Sequence, residues 1–319
     1  MDSFCLCDTC DVPLVLLENR LVCRTCDTAF ASVEDGIVVF DDAVDKENFF
    51  EKQAIARMSE KYRCFDRAAF LESLKKTELS EMDEVNKAVG ITRKFWWEPH
   101  IGKVEDKSIL EVGCGINYIV PYWLECGNDV VAIDACKESI LLLRRVIEQA
   151  GLDRERIRFA AADARTIKLA ETFDVININN VLHHIGDSRQ VLSRLRSLLS
   201  DDGTLLIVEP NYYYPPRWIV ETDVFDPFNF IKDYFVRNDL IEKGEKGVVF
   251  SDLKRALHDT GYEIAANPKD MNYLGYFSIY WMRQNSPLAR MISNLDNLLF
   301  GWILPRIIAP FEYIVAVKA

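Results

Sequence analysis

The stretch that decides the fold is "ILEVGCGINYIV", Ile109 to Val120. A short apolar run ends on an acidic residue, Glu111, and enters a turn with two glycines, Gly113 and Gly115, separated by Cys114. Such a strand, turn and following helix open a nucleotide-binding unit, because glycine lets the backbone approach a ligand and the helix N-terminus faces it. A dinucleotide turn would need a third glycine at position 118 for close packing of helix on strand, and Tyr118 stands there. The sequence therefore speaks against a nicotinamide site.

Strand and helix alternate on either side of this turn. "SILEV" and "DVVAID" predict the first two strands, with a helix between them from about Tyr118 to Glu125 that tolerates Pro121 in its first turn. "ESILLLRRVIEQAG" predicts a helix stopped by Gly151, and "IRFAAAD", "FDVININN" and "TLLIVEP" predict further strands. "DSRQVLSRLRSLLSDDG" reads as an amphipathic helix capped by Asp187, with Val191, Leu192, Leu195, Leu198 and Leu199 on one stripe and Gly203 beyond its end. Alternation of this kind implies an α/β, mostly parallel, doubly wound sheet with its ligand at the carboxyl ends of the strands.

Those ends carry an ordered set: Glu111, Asp134, Asp163, Asn179-Asn180 and Glu209-Pro210. An acidic residue about 20 positions past the glycines is placed to hydrogen-bond ribose hydroxyls. Singly, Asp134 or Asp163 also fits a helix cap or loop carboxylate; in order, each after a strand, they point to a nucleoside.

The pattern resembles the acidic-x-Gly-x-Gly-x-Gly loop of the class I S-adenosylmethionine-dependent methyltransferases, of the type 11/12-like kind. It is met at Glu111, Gly113 and Gly115 and departs at Asn117, asparagine being the residue that best imitates glycine at positive φ. The resemblance runs from about Lys107 to the C-terminus, with "FDVININNVLHHI" and "LLSDDGTLLIVEPN" as its later blocks. It implies a Rossmann-like seven-stranded sheet and S-adenosylmethionine as cofactor, with S-adenosylhomocysteine as product. It also implies that Gly113 and Gly115 approach the methionine part and ribose, that Asp134 binds the ribose hydroxyls, that Asp163 and Ala164 take the adenine, and that Asn180 and Val181 flank the sulfonium. Glu111, Cys114, Asn117 and Ala135 complete the implied cofactor-binding set.

Four of the 9 cysteines form two CxxC pairs, Cys7/Cys10 and Cys23/Cys26. Two such knuckles a hairpin apart can place four thiolates tetrahedrally around one zinc ion. Between them, "PLVLLENRLVC" has apolar runs either side of Glu18-Asn19, a tight turn between short strands. Cys5 ranks below Cys7 as a ligand because the two form CxC. A module this small has little core of its own, so metal ligation would supply much of its folding energy. The segment "CDTCDVPLVLLENRLVCRTCDTAFASVEDGIVVF" resembles the Trm112-like zinc-ribbon module in Phe30, Asp35, Gly36, Ile37 and the closing strand Val38 to Phe40. Members of that family partner methyltransferases or are fused to them, which implies a structural Zn2+ and a scaffold role.

The expected organisation is therefore a small zinc-binding β module at 1–42, a helical connector at 43–106 and a methyltransferase domain at 107–319 with substrate insertions at about 211–250 and 270–311. Phe50, Ala54, Ile55 and Met58 share one face of the connector, and Trp96, Trp97 and His100 follow. These helices read as a connector that also roofs the catalytic domain as a lid, with a packing brace as the alternative for any single aromatic; His100 reads as a surface loop histidine.

A net charge of -12 and a pI near 5.0 argue against a broad electrostatic grip on nucleic acid, which needs clustered Lys and Arg. "MDSFCLCDTC" has neither the basic start nor the apolar core of a signal peptide, and "LLFGWILPRIIAPF" is too short and too interrupted to span a bilayer. A cytoplasmic address is expected, and peripheral membrane contact and oligomeric state stay open.

Methyl transfer from a sulfonium needs alignment most and a base only where the acceptor must lose a proton. His183 and His184 follow the fourth strand; His184 is the candidate base, with a structural or cofactor-shaping role as the alternative. Tyr212, Tyr213, Tyr214 and Trp218 suit an apolar acceptor, with core packing as the other account. The expected reaction is methyl transfer to a small-molecule or lipid-linked metabolite. The alternative is an rRNA or tRNA base methyltransferase with the zinc module recognising RNA, although "RKFW" and "LLLRRV" are the short basic spots on offer.

Overall fold

The computed structural model describes residues 4–41, 66–75, 96–115, 119–214, 247–268 and 311–319. Most of the expected connector, Asn117, Tyr118, Trp218 and the greater part of both insertions lie outside the described residues.

The N-terminal module is a run of antiparallel strands, β1 (Val15–Leu17), β2 (Arg20–Cys23), β3 (Thr28–Glu34) and β4 (Ile37–Phe40). Leu17 pairs with Arg20 across Glu18-Asn19, and Glu34 pairs with Ile37 across Asp35-Gly36. Asp35 and Gly36 both take positive φ, 51° and 77°, the backbone that fits a two-residue hairpin to the right-handed twist of its strands.

The larger unit supplies β5 (Ser108–Val112), β6 (Asp129–Asp134), β7 (Ile157–Ala161), β8 (Phe173–Asn179), β9 (Leu199–Pro210), β10 (Tyr262–Ala266) and β11 (Phe311–Lys318). The spatial order is β7-β6-β5-β8-β9-β11-β10, parallel as far as β9, with β11 and β10 antiparallel beyond it. The order reverses beside β5, so β5 and β8 diverge at the switch point where doubly wound sheets bind ligands. Near-continuous burial of β5, β6 and β8 is what a parallel strand covered on both faces requires.

The two units share one sheet. β4 pairs in parallel with β7, Val38 opposite Ala160 and Val39 opposite Ala161, so eleven strands run without a break. They also share a core: Cys5, Cys7, Leu14, Leu21, Cys23 and Phe40 belong to the same apolar cluster as Leu110, Ile133, Ile176 and Leu192. The module thus obtains from its neighbour the burial its own length cannot provide.

Among the described helices are α1 (Arg67–Lys75), α2 (Glu98–Ile101), α3 (Ile119–Glu125), α4 (Lys137–Ala150), α5 (Leu182–Ile185), α6 (Ser188–Leu198) and α7 (Phe250–Asp259). Gly151 ends α4 in the left-handed conformation at φ 67°, and Arg67 of α1 donates to Ala150 O at 2.7 Å there. Asp187 caps α6 by accepting from Arg189 N at 3.0 Å. One expectation is corrected: Leu199 does not continue the α6 stripe but turns to extended geometry and pairs with Phe173 as the first residue of β9. The next partners are Val175 and Thr204, so Ser200 to Gly203 form a bulge within the strand.

Trp96 and Trp97 are buried. Trp97 lies against Trp123 at 4.9 Å between ring centroids and Trp96 against Tyr313 at 5.2 Å, so both indoles pack into the second apolar cluster. His100, at the end of the short α2, is exposed.

Candidate active site

The turn after β5 is built from its backbone outward. Gly113 and Gly115 both take positive φ, 66° and 44°, a region costly to any residue with a Cβ. A Cβ on Gly113 would lie 2.2 Å from Cγ2 of Val181, so the loop after β5 touches the loop after β8 where the cofactor would lie. Gly113→Ala is expected to force these loops apart and weaken S-adenosylhomocysteine binding at least about tenfold. Titration calorimetry measures this directly, and unchanged affinity would show the close approach to be dispensable.

Asp134, at the end of β6, accepts from Gly115 N at 2.7 Å and from Cys136 N at 2.8 Å, one bond to each carboxylate oxygen. Ala135 beside it is exposed, while Cys114 is fully buried, its thiol pushed well above its ordinary value by burial. Cys114 N donates to Ile133 O at 2.9 Å, tying the glycine turn to β6.

Glu111 is fully buried beneath the turn. Its carboxylate accepts from Trp123 Nε1 at 3.1 Å and from Asn177 Nδ2 at 2.9 and 3.0 Å, so it joins α3 and β8 to β5. Hydrogen bonds of this kind make a buried carboxylate tolerable and fix the angle at which the loop leaves the strand.

Beyond β7, Asp163 is paired with Arg165 through two guanidinium nitrogens, Nε at 2.9 Å from both oxygens and Nη2 to Oδ2, and it also accepts from Arg165 N at 2.8 Å. Ala164 is buried. Beyond β8, Asn180 takes φ 60°, where asparagine is among the better-tolerated residues, and its N donates to Val208 O at 2.8 Å.

Glu209 holds this corner together, a role the sequence did not reveal. Fully buried at the end of β9, it accepts from Val181 N at 2.9 Å, Leu182 N at 2.7 Å and His183 N at 3.3 Å, the first amides of α5. Its Oε2 lies 2.6 Å from His183 Nδ1. The sequence signal was the carboxylate before Pro210; its partners lie in another loop. His183 is thereby buried and committed at Nδ1, whereas His184 is exposed with its ring 3.9 Å from that of His183. Of the two histidines, His184 is the one that presents itself to solvent.

Past β9, Tyr212 N donates to Val248 O at 2.9 Å and Val248 N to Pro210 O at 2.7 Å. Gly247 allows this approach, since a Cβ there would sit 2.6 Å from Pro210 O. Tyr212 is exposed, Tyr214 is buried, and the rings of Tyr212 and Tyr213 meet edge to face.

At the far end of the sheet, Cys7, Cys10, Cys23 and Cys26 present four sulfur atoms within 4.8 Å of one another, the donor set and compactness that tetrahedral zinc requires. Cys10 N donates to Cys7 Sγ at 3.3 Å, the amide-to-sulfur bond of a knuckle turn. Burial opposes the Cys23 thiolate, yet backbone amides of Cys26 and Thr25 outweigh it and bring that thiol down to about 6. Cys5 is not part of this group; it is buried in the shared core and bridges to Leu169.

Residues 110–205 match the family model described as "Methyltransferase domain". Among similar proteins, the ubiquinone biosynthesis O-methyltransferase of Actinobacillus pleuropneumoniae serotype 7 (strain AP76) is 30% identical over 102 residues, 31% of this chain and 44% of the relative. An uncharacterized methyltransferase of Mycobacterium bovis is 36% identical over 103 residues, 32% of this chain and 50% of the relative. The solved S-adenosylmethionine-dependent methyltransferase of Mesorhizobium loti matches at a TM-score of 0.48 and 14% identity, covering 75% of this chain and 99% of that one. The chain spans about half the length of the first curated relatives it matches. Over residues 110–205 the chain is therefore similar to a methyltransferase domain.

Proposed function

We propose that the chain transfers a methyl group from S-adenosylmethionine to a small-molecule or lipid-linked acceptor. The observation that carries this is the Asp134 carboxylate at the end of β6, held by Gly115 N and Cys136 N beside the half-buried glycine turn, where a ribose would be met. Bound there, the sulfonium supplies an activated methyl group and a good leaving group. Gly113 and Gly115 open the backbone to the methionine part, with Cys114 and Asn117 completing the loop and Glu111 fixing it from beneath. Asp134 and Ala135 take the ribose side, and Asp163 and Ala164 the adenine, which requires Arg165 to share or release the Asp163 carboxylate. Asn180 and Val181 flank the reacting centre, held in place by Glu209.

His184, exposed and lying tilted against a ring anchored by Glu209, is the candidate to accept a proton from the acceptor. Tyr212 and Tyr213 offer apolar, hydrogen-bonding surface at the same edge. The relatives named as ubiquinone biosynthesis O-methyltransferases act, by that name, on a small molecule, which favours this acceptor class. One of the two basic spots is partly consumed: Arg144 donates to Asp35 O across the contact between the two units, which disfavours RNA as the acceptor.

Zn2+ at Cys7, Cys10, Cys23 and Cys26 would be structural, since four thiolates leave no open position for substrate. No described helix is long and apolar enough to cross a membrane, and the acceptor is expected to be met in the cytoplasm or at a membrane surface. A labelled methyl donor incubated with the protein and with extract separated into RNA, protein, lipid and small-molecule fractions tests the reading. Label is expected in the small-molecule or lipid fraction; label in RNA alone would replace this acceptor class with the nucleic-acid one.

A further inference from the structure

The loop between β7 and β8 carries Asp163 at one end and is fastened to the cysteine module at the other. From Asp163 the chain makes one tight turn, Thr166 N and Ile167 N donating to Asp163 O at 3.1 and 3.0 Å. Ile167 and Leu169 then enter the apolar cluster that holds Cys5, Cys7 and Cys23. Leu6 N donates to Lys168 O at 2.9 Å and Ala170 N to Phe4 O at 2.8 Å, an antiparallel clasp centred on Cys5 and Leu169. Lys168 reaches further: its Nζ donates to Asp8 O at 2.7 Å and Asp11 Oδ1 at 2.6 Å, with only 17% of its side chain exposed. Asp8 lies inside the first CxxC pair and Asp11 directly follows it.

The register places the module on the cofactor's side of the sheet. β4 points the same way as β7, and the β3 and β2 pairings carry Thr28 and Cys23 past Phe40, toward the edge where the parallel strands end. The metal-binding knuckles and Asp163 therefore share one edge.

We propose that the zinc knuckle positions the adenine side of the cofactor site, with Lys168 as the positioning residue that joins them. This rests on the assignments of Asp163 and the four cysteines made above. Metal at the cysteines fixes the Cys7–Asp11 turn, Lys168 carries that order into the loop, and the loop presents Asp163 already in place. A loop ordered before binding spares the ligand its ordering entropy, a gain of about tenfold for each residue so ordered. Coupling between two sites is reciprocal in binding free energy, so cofactor must in turn tighten the binding of the metal.

Lys168→Met keeps the aliphatic stem and removes both bonds to the knuckle. The variant is expected to retain one zinc per chain, to bind S-adenosylhomocysteine about tenfold more weakly, and to show faster amide exchange at residues 163–170; Lys168→Arg is expected to recover part of the affinity. In the wild-type protein, saturating S-adenosylhomocysteine is expected to raise the zinc affinity measured in equilibrium competition with a chelator, and Lys168→Met to reduce that effect. Wild-type affinity with unchanged exchange in Lys168→Met, or a zinc affinity indifferent to S-adenosylhomocysteine in a wild type that binds it, overturns the coupling alone. A wild type that binds no S-adenosylhomocysteine, or no zinc, overturns the assignment of that site and the coupling with it.

Discussion

Asp134→Ala is expected to weaken S-adenosylhomocysteine binding by roughly 100-fold or more. Hydrogen bonds to a charged partner contribute about 1.5–3 kcal/mol each, and two ribose hydroxyls would lose theirs together. The same carboxylate orders its own surroundings, since Gly115 N and Cys136 N would both lose their acceptor and the glycine turn one of its two ties to β6. Asp134→Asn is no gentler, because one carboxamide face would present N–H groups to a backbone N–H. Calorimetry on a variant whose far-ultraviolet spectrum matches the wild type reads the effect. Affinity within a few-fold of wild type would remove Asp134 from the site.

Replacing Cys7, Cys10, Cys23 and Cys26 together by Ser is expected to abolish metal binding and destabilise the whole chain, not the module alone. Structural zinc contributes on the order of 10 kcal/mol to small metal-dependent folds. Here the module contributes Cys7, Leu14, Leu21, Cys23 and Phe40 to the cluster that covers Leu110, Ile133 and Ile176, so its unfolding uncovers the central sheet. At about 2–4 °C per kcal/mol for a domain of this size, a melting midpoint at least about 10 °C lower is expected. Metal analysis with scanning calorimetry checks both halves. Retained metal would move the site elsewhere, and a lost metal with an unchanged midpoint would show the module to be independent of the core.

Local backbone demands were legible in the sequence. Glu18-Asn19 announced a tight turn, Asp187 a helix cap and Gly151 a helix end, because each satisfies a requirement set within a few residues. The Gly113-Cys114-Gly115 turn was legible for the same reason, and the alternation of strands and helices around it led to a mostly parallel, doubly wound sheet, though not to the order of its strands. Leu199 misled because a leucine after an amphipathic run suits a helix stripe and a buried strand equally; its pairing with Phe173 decides, and that partner is distant in sequence. The Glu209 clamp was hidden likewise. Its partners are backbone amides of α5 and one nitrogen of His183, and backbone donors leave no mark in composition or spacing. Nor was the joining of β4 to β7 readable, since parallel pairing between distant apolar strands has no turn to announce it.

The most direct test of the account is a titration of the zinc-loaded wild-type chain with S-adenosylhomocysteine and, separately, with NAD. One site per chain for S-adenosylhomocysteine, lost in Asp134→Ala, and no binding of NAD is the expected result. Binding of NAD, or a folded chain that takes up neither, would contradict the reading of the turn at Gly113 and Gly115 from which the account begins.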